Sequence, residues 1–368
     1  MTLTETVKAF RTGTKLIIIG TVVLLVGRVF MEIASISPTA QLTPTPTPPA
    51  QFGKLPRLEI DSLELDSSSS PTFILDLISS YLPKGPTIAS VYPIAQPQVS
   101  FLAEEKAAQR AKTFNFKTTP DINNTHFVWQ DNLRTLEIEK KTLNLSYKYN
   151  YQNQSQIFIP GTFFSTDSVI KIAETILKKH NLFANLDGSK PKSQLLKLEG
   201  ANLRETINLN EASAARVDFP VPLIDAYPVV NENPTQDLVY VIFTGDPQNR
   251  NSYGEVIDLQ SIHWLIQTKE GGIYTLKESQ QAWDELKNTT KSLVHLLPAG
   301  QDPTLPYNPP RVKEFRAQEA FLAYYITAPY QKYLQPVWVF KGTATLIGYQ
   351  QADWQAYIPA LAPELIAP

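Results

Sequence analysis

The chain has 368 residues, with 33 basic and 35 acidic side chains and a formal net charge of −2, so it carries no strong basic field of the kind that draws nucleic acid. Its 43% hydrophobic and 10% aromatic content is enough for a true core, at a length that suits a tail plus one large or two small domains. It has no cysteine, which removes disulfides, thiolate nucleophiles, Cys acylation and Cys-based metal sites together.

Residues 16–33 form one apolar run, interrupted late by Arg28 and Glu32 and preceded by Lys8, Arg11 and Lys15. As a helix it would span about 27 Å at ~1.5 Å per residue, enough for a bilayer core. The basic flank predicts a cytoplasmic N-terminus. A cleaved signal peptide is the competing reading, but Arg28, Phe30, Met31 and Glu32 leave no small-residue cleavage site. The expected organisation is therefore a cytoplasmic tip (1–15), a single-pass anchor (16–36) and a Pro/Thr/Ser-rich tether (37–70). The stretch 37–56 alternates Thr and Pro, which favours extended polyproline conformation reaching about 60 Å at ~3.1 Å per residue.

Beyond the tether, residues 72–81 and 91–94 read as strands, and Ser100 is expected to cap a helix to about Thr113 with Ala103, Ala107 and Ala111 on one face. Strands are expected at 127–130 and 135–139. The alternation of Leu143, Leu145, Tyr147, Tyr149 and Tyr151 marks a half-buried one. Ser165 or Thr166 caps a second helix whose apolar face is Val169, Ile172, Ala173, Ile176 and Leu177. Strands follow at 195–199, 214–219, 238–244 and 262–267. Thr275 to Glu278 fits a capping box opening a third helix with Ala282, Trp283 and Leu286 inward. The end is strand-rich, at 312–326, 336–342 and a segment closing near Ile358. Helices each followed by a strand meander predict an α+β class, as tandem units of a helix packed on antiparallel sheet, with a first unit at 71–160 and a second, larger region at 161–368.

The segments 272–277 (GIYTLK) and 281–286 (QAWDEL) resemble the turn and helix of tandem PepSY-like extracytoplasmic proteins. Ala323-Tyr324-Tyr325, the run 333–342 (YLQPVWVFKG) and 355–360 (QAYIPA) resemble their closing elements. The membrane-anchored YycI-type regulators of a cell-wall sensor kinase share that architecture, and the whole chain is similar to uncharacterised anchored proteins of candidate-phylum bacteria whose tether ends in FGKLP, here 52–56. The resemblance implies a PepSY-like fold facing the cell exterior. It brings no catalytic residues, because its motifs are strand ends and helix caps.

The four histidines, His126, His180, His263 and His295, have no metal-ligand spacing. His180 closes the second helix, where a partial positive charge suits the dipole, and a catalytic His263 would need a partner that the sequence does not name. No serine stands in a G-x-S-x-G elbow, and Gly271-Gly272 reads as an isolated turn and not as a phosphate cradle. The C-terminal aromatics Tyr324, Tyr325, Tyr330, Tyr333, Trp338, Tyr349, Trp354 and Tyr357 are the one suggestive surface. About half of them are expected to face outward, with Tyr330 and Tyr333, in a connection, as the partner-binding candidates. The expectation is a non-enzymatic, membrane-tethered binding or regulatory module of the cell envelope, with an envelope protein as partner and no cofactor or metal. An envelope glycan or peptide hydrolase with scattered carboxylates, and a structural or assembly factor, are the alternatives.

Overall fold

A computed structural model describes residues 50–368 apart from 184, 185, 187, 290, 291, 300–307, 349 and 368. The expected tip, the anchor at 16–36 and the first part of the tether, 37–49, lie outside the described residues. Among the described residues no helix is long and apolar enough to cross a membrane.

In chain order the elements are β1 (Thr72–Leu75), β2 (Ile88–Pro93), α1 (Ala103–Thr113), β3 (Asp121–Ile122), β4 (His126–Gln130), β5 (Arg134–Glu139) and β6 (Leu145–Tyr149). Then come α2 (Thr166–Lys179), β7 (Lys192–Glu199), β8 (Asn202–Glu205), β9 (Ala214–Asp218), β10 (Val229–Asn231), β11 (Val239–Gly245) and β12 (Tyr253–Ser261). The chain closes with β13 (Gly272–Thr275), α3 (Ser279–Asn288), β14 (Leu293–Pro298), β15 (Val312–Ile326), β16 (Tyr333–Leu346) and β17 (Gln351–Pro359).

This arrangement overturns the expected tandem helix-on-sheet units. Strand far outweighs helix among the described residues and is gathered into two large sheets of nine and eight strands, with three α-helices. The nine-stranded sheet, ordered β3-β4-β5-β6-β12-β11-β9-β7-β8, is antiparallel throughout and runs across the expected division at residue 160. The physical reason is at β6. A lone meander would leave its backbone edge unpaired, and β12 satisfies it from Leu145↔Ser261 to Lys148↔Asp258. The second sheet is ordered β1-β15-β16-β17-β14, with β10 also on β15 and the β2–β13 pair joined to β16.

Helices α1 and α2 share one face of the nine-stranded sheet and enclose a single apolar core. Helix α1 meets it through Ala103, Ala107 and Ala111, small enough for close approach, and α2 through Val169, Ile172, Ala173, Ile176 and Leu177. Ser165 caps α2, its hydroxyl accepting from the Ser168 N–H while Ser168 returns the bond. Two expected caps shift. Leu102 precedes α1 without a side-chain cap, and Glu278, not Thr275, caps α3 in a box with Gln281. Helix α3 buries Ala282, Trp283 and Leu286 on the second sheet, where Trp283 packs 5.3 Å from the Phe340 ring.

Residues 50–65 lie along this second sheet. Leu55, fully buried, bridges in parallel to Ile366: its N–H donates to Leu365 O at 2.8 Å, and the Ala367 N–H donates back at 2.7 Å. Leu58 and Ile60 pack on one face of the sheet, and Leu63 and Leu65 on the other.

Candidate functional site

The two tyrosines expected at a partner surface both make contacts within the chain. Tyr330 is 39% exposed, but its hydroxyl donates to Ile94 O at 3.1 Å and its ring lies 5.7 Å from Trp264. Tyr333 opens β16 opposite Pro93, and its ring rests 5.2 Å from Phe52. Each fastens one segment to another. Tyr324, Tyr325, Trp338, Trp354 and Tyr357 are buried, and Tyr349 lies outside the described residues. The expectation that about half would face outward fails because one face of β15–β17 is covered by α3 and much of the other by Leu58, Ile60 and Val230.

The histidines stay apart. His180 stacks on Phe114 with centroids 3.7 Å apart and places Nδ1 2.8 Å from the Thr113 hydroxyl. Burial, helped by Lys179, lowers its pKa to about 4. Burial, helped by Arg110, does the same for His263, whose buried Nε2 has no hydrogen-bond partner. Both are neutral in the native state, whereas in the unfolded chain they take up protons near pH 6.5. Stability from them is therefore complete above pH 6.5 and lost as pH falls toward 4. For His180 the loss by pH 5 is on the order of 2 kcal/mol. Urea unfolding from pH 8 to 4.5 should show this slope, and His180→Phe should flatten it. A slope unchanged in that variant contradicts the assignment.

A groove of about 640 Å³ opens between the two sheets. One wall comes from the nine-stranded sheet: Lys190 and Lys192 at the start of β7, Pro220 to Leu223 after β9, and Asp237 before β11. The other is β10 with the outward face of β15–β17, which presents Phe321, Lys341, Gln355 and Tyr357. Prolines at 220, 222, 228 and 234 explain why the crossing chain does not fill this space. Without an N–H they cannot extend either sheet's ladder.

The crossing turns back on itself at Ile224–Tyr227, where each end residue donates its N–H to the other's carbonyl. Both central residues, Asp225 (φ 50°) and Ala226 (φ 66°), are left-handed without being glycine, a costly choice for this turn. A latch holds it. Tyr92 donates to the Asp225 carboxylate at 2.7–2.8 Å, and the Tyr324 hydroxyl lies 2.7 Å from Asp225 Oδ2 and 3.0 Å from Ser90 O. Ala226→Gly should raise stability by roughly 0.5–1 kcal/mol, and Asp225→Ala should lower it by about 2 kcal/mol by stranding the Tyr92 phenol, while Tyr324 keeps Ser90 O. Denaturant midpoints of the two variants test this, and shifts of the same sign would contradict it.

Electrostatically the groove is apolar in its floor and cationic at its rim. Lys192 Nζ lies 4.0 Å from Asp237, whose carboxyl burial pushes above its ordinary pKa. Lys341 Nζ lies 3.0 Å from Glu319 and 5.8 Å from the Phe321 ring centroid. Behind the wall, Arg216 grips Asp218 with two bonds of 2.6 and 2.7 Å, and Asp218 Oδ1 also accepts the Asp237 N–H at 3.1 Å. Such a surface can hold an apolar body carrying a negative group. Among the described residues no group of three or more His, Asp or Glu side chains is placed to hold a metal ion.

Sequence reasoning missed Lys190, Lys192, Asp237, Phe321 and Lys341 because they come from separate segments joined only by the fold. The proline series 220, 222, 228 and 234 was the available signal of an irregular crossing.

No protein-family model matches the chain, and no curated protein matches it. Among solved structures, a crystal structure of an uncharacterized protein from Eubacterium rectale ATCC 33656 is similar at 12% identity, over 75% of this chain and 85% of that one, with a TM-score of 0.37.

Proposed function

We propose that the chain is a non-enzymatic binding module of the cell envelope, anchored by residues 16–36 and engaging its partner through the groove between the sheets. The observation that carries this reading is the 640 Å³ groove itself, with an apolar floor and three lysines among its described lining residues. The separation of the histidines favours binding over nucleophilic or metal chemistry. The apolar run behind a basic tip supports the membrane tether.

One observation keeps a hydrolase as the second reading. Asp237 lines the groove with a raised pKa beside the Asp218 carboxylate, as an acid catalyst would require. Asp218, however, is already neutralised by Arg216. Photo-crosslinking of the full chain in its own cells separates the two. A photoreactive residue at Phe321 is expected to capture one discrete envelope protein, lost with Lys192→Glu plus Lys341→Glu, while the 96% exposed Ile207 position captures nothing comparable. Identical adducts at both positions would sink the binding reading. Envelope-polymer turnover abolished by Asp237→Asn would replace it with the hydrolase.

A further inference from the structure

Strand β15 carries an unfilled length of edge beside the groove. One of its edges is taken by β16 from Val312 to Tyr325. On the other, β1 pairs in parallel with 314–317 and β10 pairs in parallel with 324–326. The Asp76 N–H reaches Ala317 O at 2.8 Å, and the Tyr324 N–H reaches Pro228 O at 2.9 Å. Between them, residues 318–323 have no strand partner on that side among the described residues. At ~3.3 Å per residue the gap spans about 20 Å.

Such an edge is a template for another strand unless something blunts it, and 312–326 contains no proline. Gln318 and Glu319 are exposed, Phe321 turns its ring into the groove wall, and Leu322 and Ala323 are buried, so the accessible edge is 318–321. A strand added here would stand end to end between β1 and β10. It would run in their direction, because both flanking strands are parallel to β15. Alternate side chains of that strand would enter the groove beside Phe321. There the three lysines Lys190, Lys192 and Lys341 outnumber the two carboxyls beside them, Asp237 at 4.0 Å from Lys192 and Glu319 at 3.0 Å from Lys341.

We infer that residues 318–321, the accessible part of this edge, accept an extended peptide strand of a partner protein by β-augmentation, parallel to β15, with an acidic side chain directed at the groove lysines. The inference rests on the groove-binding reading above and specifies its partner chemistry. Main-chain bonds along the edge supply affinity, and the lysines and Phe321 select an apolar–acidic alternation.

The test uses the full chain and three seven-residue peptides: one alternating valine and glutamate, its lysine counterpart, and the glutamate peptide N-methylated at alternate amides. The glutamate peptide is expected to bind. N-methylation on the edge-facing register should weaken it at least tenfold, the lysine peptide should bind at least tenfold more weakly, and Lys341→Glu should narrow that charge preference. Equal binding of methylated and unmethylated peptides would overturn the strand-addition inference while leaving groove binding intact. So would the failure of every peptide in a chain whose Phe321 position still captures its envelope partner. Loss of both capture and peptide binding would remove the groove reading as well.

Discussion

Gly342→Ala is expected to destabilise the fold by about 3 kcal/mol or more, the largest effect of a single methyl in this protein. Gly342 pairs with Ala317 where β15 bulges between Ala317 and Glu319. A Cβ there would overlap the carbonyl oxygen of Arg316 and come within 2.8 Å of the Gln318 nitrogen. Both obstacles are backbone, so no side-chain rotation relieves them. The same Arg316 carbonyl accepts the Trp354 indole N–H at 3.0 Å, so backing the strand away would also strain a buried bond. The bulge between Ala317 and Glu319 lies where pairing with β1 ends at Leu75↔Ala317. Urea unfolding of the variant should show the loss directly. An unchanged midpoint would mean that β15 and β16 are not this close at the bulge.

Asp218→Ala is expected to cost as much, about 3–5 kcal/mol, because it leaves the Arg216 guanidinium without its paired carboxylate inside the structure. Arg216 and Asp218 are both largely buried, and the guanidinium also lies 4.4 Å over the Tyr240 ring. Asp218 does a second job in accepting the Asp237 N–H at 3.1 Å, so its loss also frees one wall of the groove. Replacing both partners, as Arg216→Met with Asp218→Leu, should recover most of the stability, since no charge is then left unpaired. Thermal unfolding of the single and double variants decides the matter. A double variant as unstable as Asp218→Ala would assign the cost to packing and not to the stranded charge.

Part of this fold was legible before any coordinates. The apolar stripe of α2 and its Ser165 cap follow from spacing alone, and the inward set of α3, Ala282, Trp283 and Leu286, is the set that is buried. The alternation around β6 is equally direct. Strand β12 escaped because Gly254, Glu255 and Asp258 break its pattern. Asp258 is tolerated there because the Tyr240 hydroxyl donates to it at 3.1 Å. Conversely, 262–267 reads as strand yet forms only a bridge from Ile94 to Ile266, its polar groups going instead to loops, as with Trp264 Nε1 donating to Thr327 O. The assembly of strands into two sheets was hidden for a different reason. Pairings such as Leu145↔Ser261 and Thr72↔Glu314 join distant segments whose local patterns carry no address. The groove inherits that opacity, since Lys192 and Lys341 become neighbours of one cavity only through those pairings.

A chain with no cysteine of its own offers a direct test of whether the groove is where a partner sits. Single variants Phe321→Cys and Ile207→Cys would be labelled with a membrane-impermeant maleimide, in intact cells and in the purified full chain. If the groove is occupied in the envelope, Phe321→Cys should react at least tenfold more slowly in cells than when purified, while Ile207→Cys reacts alike in both. Equal reactivity of Phe321→Cys in the two settings would contradict the account.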